Sequence, residues 1–385
     1  MTILSKKIQT INASPLVSLN DKGRKMKAEG IDVLAFAGGE PDFDTPKPIR
    51  EAGIAAIEAG DTHYVASAGQ PVLRKRIAEK LLKDNNMDVN PETQIIVTPG
   101  GKVAVYLAMT AVVDAGDDVM LLEPAWVSYR EMIRLCGGNT VAVKLSADDN
   151  YRITKEALEA GYTDKTKLII VNSPNNPTGR ALTKEEADAI AEFAYEKGIA
   201  VLTDEIYEKL LYDGNTHISL GSYEKIKDQV ITVNGLSKSH AMTGWRLGYT
   251  VASAEVTSYM LKAFQNMATC IPGFVQKGAA AAFDCDEDVE MMRLEYLRRR
   301  DYLVEEFNKL PGWKCASPDG AFYLMPQFDY KGMDSWQIAE LILDECRVLV
   351  APGDAFGAPG CIRFCYAASM EDIEEAVKRL RQLFH

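Results

Sequence analysis

Two rhythms of apolar residues alternate along the middle of this chain. Short, nearly continuous apolar runs at 94–98, 118–123, 140–144, 167–172, 199–203 and 229–233 read as strands buried on both faces. Between them, segments 103–113, 127–135 and 184–197 repeat their apolar positions at helical spacing. The same spacing predicts helices at 16–29, 48–59 and 72–83, with a short apolar run at 33–37. Strand–helix alternation of this kind predicts an α/β fold whose mostly parallel sheet is flanked by helices, with ligands outside the carboxyl ends of the strands. After residue 254 the pattern changes. A long helical stretch to 283 and a charged helix at 287–309 precede short strands at 313–315, 321–327, 347–351 and 361–366, interleaved with helices at 334–345 and 369–383. This reads as a smaller α+β domain. The expected division is 1–44 as an N-terminal arm and part of the small domain, 45–285 as the large domain and 286–385 as the small C-terminal domain.

Composition narrows the function classes. The 385 residues allow roughly two to three domains, and 47% hydrophobic with 25% charged residues is ordinary for a globular protein. A formal charge of −12 gives nucleic acid or an anionic membrane no electrostatic reason to approach, so any anionic ligand must be held by local groups. The 7 cysteines include no Cys-x-x-Cys pair, and the 4 histidines show no zinc spacing, which predicts reduced thiols and no metal site. The first residues lack the apolar core of a signal peptide and no run reaches membrane-spanning length, so a cytoplasmic location is expected.

Candidate chemistry gathers at the predicted strand ends. Lys238 lies among small residues after the run 229–233, with Ser237 before it and Arg246 beyond a Thr-Gly turn. A lysine that loses its proton readily suits an aldehyde, and an arginine fork suits a phosphate; together they suggest pyridoxal phosphate. Gly100-Gly101-Lys102 joins a strand to a helix whose free N–H groups suit an anion, yet Val103 follows where a nucleotide-hydrolase loop needs Ser or Thr, and no Gly-x-Gly-x-x-Gly occurs. Trp126 follows another strand and offers a stacking face. Asn176 sits in a loop fixed by two prolines and a glycine. Asp204, at a buried strand end, needs a cationic or donor partner such as a protonated pyridine nitrogen, and Tyr207 follows three residues on. Each feature alone has a commoner structural explanation: a solvated lysine, a simple turn, a packed aromatic.

Taken in order, Gly39-Glu-Pro-Asp-Phe43, Tyr64, Gly100-Gly-Lys102, Trp126, Ser173-Pro-Asn-Asn-Pro-Thr-Gly179, Asp204-Glu-Ile-Tyr207, Ser237-Lys238, Met242-Thr-Gly-Trp-Arg246 and Arg363 resemble the pyridoxal-phosphate enzymes of the aspartate aminotransferase family, fold type I, over nearly the whole chain. The resemblance implies that Lys238 is the Schiff-base lysine and proton carrier, and that Asp204 holds the pyridine nitrogen protonated. It implies that Asn176 and Tyr207 bond the ring's phenolate oxygen, that Trp126 stacks on the ring, that Gly101, Lys102 and Arg246 surround the phosphate end, and that Ser237 also binds the cofactor. Tyr64 would reach that end from the other subunit of a homodimer with shared active sites. Arg363, helped by the backbone at Gly39, would grip the substrate α-carboxylate, beside Trp126 and Asn176.

Two positions depart from the family pattern. Gly235 stands three residues before Lys238, where many relatives place a hydroxyl, and no arginine occurs from 247 to 292 to read a distal carboxylate from the partner subunit. Lys102 is the alternative cation for that task. The expected function is a ping-pong transfer of an amino group from an L-amino acid, with aspartate or glutamate foremost, to a 2-oxo acid. An aromatic aminotransferase and a C–S β-lyase use the same site; Phe36, Trp126 and Tyr129 would border an aromatic pocket, and residues 270–273 are expected nearby. A non-catalytic regulatory module is disfavoured, because Lys238 and Arg363 are both present and the first forty residues are too few and too polar for a winged DNA-binding domain.

Overall fold

The computed structural model describes residues 3–13 and 15–385. Its main sheet has seven strands in the order Ile95–Thr98, Gly248–Val251, Val230–Gly235, Ala200–Asp204, Thr166–Asn172, Asp118–Glu123 and Asn139–Lys144. All run parallel except Gly248–Val251, which is antiparallel to both of its neighbours. Strand alternation divides the side chains between two apolar layers. Val119, Leu121, Leu168 and Ile170 join one layer with the helix Gly101–Val112, whereas Met120, Leu122, Ile169 and Val171 join the other with Lys184–Lys197. The second of these helices starts at a Thr183–Glu186 capping box and stops at Gly198 in the left-handed conformation (φ 64°), as its sequence favours. The expected α/β architecture is therefore present.

A third apolar core joins Leu16, Leu19 and the 33–37 run to residues between Met292 and Phe384. The short strand Leu34–Ala35 pairs in parallel with Val348–Leu349, tying the two chain ends together. Beside it, Tyr323–Leu324 pairs antiparallel with Ile362–Cys365, which pairs in turn with Ala351–Pro352.

The structure corrects several expected elements. The antiparallel strand Gly248–Val251 was not anticipated: its four residues follow the polar Thr243–Arg246 turn and become a strand only by filling the gap between two long neighbours. The helical stretch 254–283 breaks into Ala254–Met267 and Gly273–Ala281. Thr269 is left-handed there (φ 63°), and Pro272 is tolerated only at the start of the second helix. The run 321–327 splits into Tyr323–Leu324 and Gln327–Phe328, since Pro326 between them has no N–H for a ladder. Similarly, 347–351 becomes Val348–Leu349 and Ala351–Pro352, and 334–345 becomes the α-helix Ser335–Leu341 followed by a π turn, Ile342–Cys346. All seven cysteines are free thiols. Among the described residues, no helix is long and apolar enough to cross a membrane.

Candidate active site

A cavity of about 450 Å³ opens at the carboxyl ends of the parallel strands, between the main sheet and the third core. Asp204 ends the strand Ala200–Asp204 and is buried. Its Oδ2 accepts 2.7 Å from Tyr129 Oη, and its Oδ1 accepts 3.3 Å from the Ile206 amide. Burial pushes the carboxyl up to about 6, and the two donors oppose that rise. The adjoining strand end is locked to it: Asn172 Nδ2 donates to the Asp204 carbonyl at 2.8 Å. Asn172 Oδ1 accepts from the Asn176 amide at 2.7 Å, and Asn175 Oδ1 accepts from the Thr178 amide and hydroxyl at 3.1 and 2.9 Å. These turns aim the Asn176 side chain at Arg363, whose Nη1 donates to Asn176 Oδ1 at 3.0 Å.

Lys238 lies just beyond the strand Val230–Gly235. Its Nζ donates to the Gly39 carbonyl at 2.5 Å, and burial lowers its ammonium to about 8. Arg363 is buried on the strand Ile362–Cys365, between the rings of Tyr323 and Phe356, which lie 4.7 and 4.6 Å from its guanidinium carbon. Its Nη2 donates to the Ala37 and Gly38 carbonyls at 2.6 and 3.0 Å, while its Nε is buried without a partner. An orphaned guanidinium donor beside the cavity suits a carboxylate.

At the other end, Gly100 (φ 83°) introduces the helix Gly101–Val112 without any side-chain cap, so its first N–H groups remain free. Arg246, left-handed at φ 51°, lays its guanidinium against Gly100, where a Cβ would come within 2.5 Å of its Nη2. It donates 2.8 Å to the Thr243 carbonyl. The Lys102 ammonium sits 4.9 Å over the Trp126 ring, and partial burial followed by the nearby Arg246 charge lowers its pKa. Among the described residues, none of Lys102, Lys238, Arg246 and Arg363 is within ion-pair distance of a carboxylate. A chain of net charge −12 thus gathers four unpaired cations around one cavity, an arrangement that selects an anion with charge at more than one end.

The amino-acid sequence matches the family model "Aminotransferase class I and II" over residues 31–380. It is 40% identical, over 98% of each chain, to a probable aspartate/prephenate aminotransferase of Aquifex aeolicus. The aspartate aminotransferase of Thermus thermophilus solved with maleate superimposes with a TM-score of 0.94 at 39% identity, covering 100% of both chains. An aromatic aminotransferase from Pyrococcus horikoshii superimposes at 0.89 with 39% identity, covering 95% of this chain and 98% of that one. The chain belongs to the class I and II aminotransferases.

In this aminotransferase, Gly39, Gly101, Lys102, Trp126, Asn176, Asp204, Tyr207, Ser237, Lys238, Arg246 and Arg363 line one cavity. Tyr64 does not; it is 88% exposed on the surface of the single chain. Nor do residues 270–273 line it, since Gly273 packs against Asp61 instead. Phe36 is buried against Phe364, with ring centroids 4.2 Å apart, and does not line this cavity. Gly235 lies opposite Gly248, where any Cβ would meet the Gly248 Cα and the Leu247 carbonyl at 3.0 Å. A side chain at 235 would therefore need the antiparallel strand to give way by a few tenths of an ångström. Leu16, Asn20 and Tyr323 also line the cavity and were missed, because only the tertiary fold brings residues so far apart in sequence to Lys238. Tyr129 was expected as a pocket border; its hydroxyl bond to Asp204 was not legible.

Proposed function

We propose that the chain is a pyridoxal-phosphate-dependent aminotransferase acting on aspartate or glutamate and their 2-oxo acids. The observation behind this reading is the juxtaposition in one cavity of a buried carboxylate, a lysine with a lowered pKa and an arginine with an unpartnered donor. When bound, pyridoxal phosphate supplies an aldehyde for the lysine amine and an electron-withdrawing ring for the charge that develops at the substrate α-carbon.

The residues present fit that group. The free N–H groups at Gly101, with Arg246 and Ser237, would hold the phosphate. Trp126 would cover a ring face, and Asp204 would keep a proton on the ring nitrogen, the cationic partner its burial demands. Asn176 and Tyr207 would donate to the ring oxygen. Lys238, neutral above about pH 8, provides the nucleophilic nitrogen and then carries the α-proton. Arg363 binds the α-carboxylate through its fork and orients the Cα–H bond toward Lys238.

Lys102 reads the distal carboxylate. Its unpaired ammonium supports this role, as do the names of the relatives and the maleate in the Thermus structure. An aromatic preference is the second reading, favoured by the Pyrococcus neighbour and by Trp126 and Tyr129 in the cavity wall. We further propose a cytoplasmic homodimer in which Tyr64 of the partner subunit completes the phosphate site. Ile54 and Ile57 on the helix Lys47–Glu58, and Tyr64 beyond it, are exposed apolar side chains that a second copy would cover. Comparing kcat/KM for L-aspartate and L-phenylalanine with 2-oxoglutarate as acceptor tests the reading. A ratio favouring aspartate supports it, and one favouring phenylalanine moves the assignment to the aromatic class.

A further inference from the structure

Tyr207 and Tyr323 form a buried hydroxyl pair, 2.8 Å apart, at the wall of the cavity. Neither hydroxyl has another hydrogen-bond partner among the described residues. Each has one proton, and the bond between them uses one. If Tyr207 donated, its hydroxyl could only accept from a ligand. If Tyr323 donates, the Tyr207 proton is free to point into the cavity.

The surroundings of Tyr323 decide the direction. Its strand pairs with the strand of Arg363, whose guanidinium carbon lies 4.7 Å over the Tyr323 ring. A cation on the ring face draws density from the phenol oxygen and makes its O–H the better donor. Burial raises the Tyr323 hydroxyl pKa, and Arg363 is the leading influence against that rise. Beyond the pair itself, the charged or titratable groups facing it are Arg363, Asp204 and Cys365. The Tyr323 hydroxyl is also wedged against Gly39, where an added Cβ would come within 2.5 Å of it, and the Gly39 carbonyl is the acceptor for Lys238.

We propose that Tyr323 is a positioning residue for transamination: its hydroxyl donates to Tyr207 and so turns the Tyr207 proton toward the cofactor's ring oxygen. The inference rests on the pyridoxal-phosphate reading above and adds a residue that this reading does not require. A donor to the ring oxygen weakens that oxygen's hold on the proton it shares with the Lys238 nitrogen. Removing the donor therefore raises the pH at which the bound cofactor's visible band changes form.

The test is a pH titration of that band in the holoenzyme and three variants. Tyr207→Phe raises the midpoint. Tyr323→Phe raises it less, by roughly 0.5 pH unit, because one hydrogen bond strengthens its neighbour only fractionally. Tyr207→Phe/Tyr323→Phe matches Tyr207→Phe alone, since Tyr323 acts through Tyr207. An unshifted midpoint in Tyr323→Phe, or a further shift in the double variant, overturns the proposal while leaving the cofactor reading intact. A wild-type protein without a visible band overturns the cofactor reading and this inference with it. Thermal melting of the cofactor-free protein tests the wedge separately. Gly39→Ala lowers Tm and adding Tyr323→Phe recovers part of the loss; no recovery contradicts the placement of the Tyr323 hydroxyl.

Discussion

Tyr129 donates a 2.7 Å hydrogen bond to Asp204, linking the helix that follows Trp126 to the buried carboxylate at the centre of the cavity. A phenol donor to a carboxylate favours the ionised form, and Asp204 must be ionised to hold a protonated ring nitrogen. Tyr129→Phe removes that donor and keeps the ring, which meets Trp126 edge-on at 5.3 Å. We expect kcat to fall roughly ten- to a hundredfold, in line with a charged hydrogen bond worth roughly 1.5–3 kcal/mol. Cofactor retention should fall with it, as read by dialysis and absorbance.

Asp204 also sets a pH dependence in the cofactor-free protein. Its carboxyl moves from the ordinary 3.8 to about 6 on folding, chiefly through burial. Between those values the folded state binds more protons than the unfolded chain, so this group's contribution to stability is lost as pH rises through the window. Above about pH 6 the cofactor-free Asp204→Asn variant should melt higher than wild type, with the gap closing toward pH 4. The same substitution should cripple transamination. A melting difference independent of pH would contradict the burial argument.

The parts of this site that follow strand ends were legible in the sequence. Asp204, Asn176, Trp126 and Lys238 each come directly after a buried apolar run, and the doubly wound pattern puts such positions on one rim. Gly101, Lys102 and Arg246 were legible as glycine-bounded turns carrying cations. The tyrosine contacts were not. Tyr323 meets Tyr207 across 116 residues and Tyr129 meets Asp204 across 75, and neither spacing leaves a periodic trace. The strand Gly248–Val251 was hidden for a related reason, since its four residues depend on neighbours to be a strand at all.

Lys102 separates substrates in our account. Lys102→Ala should lower kcat/KM for aspartate far more than for phenylalanine, with the loss mainly in KM. Equal losses for both would assign the ammonium to the phosphate end.

In the same account Arg363 meets every substrate alike. Arg363→Ala should raise KM for each amino acid tested, and Arg363→Lys should recover little, because an ammonium cannot replace a planar fork held between two rings. Full recovery by lysine would show that charge alone suffices.

The lowered Lys238 pKa makes its own prediction. Uptake of pyridoxal phosphate by cofactor-free protein should quicken as pH rises through about 8 and level off above it, because only the neutral amine attacks an aldehyde. Lys238→Ala should show no such covalent uptake.

The central claim is an amino-group transfer through Lys238, and one half-reaction tests it most directly. Holoenzyme free of any oxo acid is mixed with L-aspartate while the visible band and the released oxo acid are followed. The account predicts that the band disappears with one oxo acid formed per site, faster than with L-phenylalanine, and that Lys238→Ala fails to turn over. A band that aspartate leaves unchanged, with no oxo acid released, would contradict it.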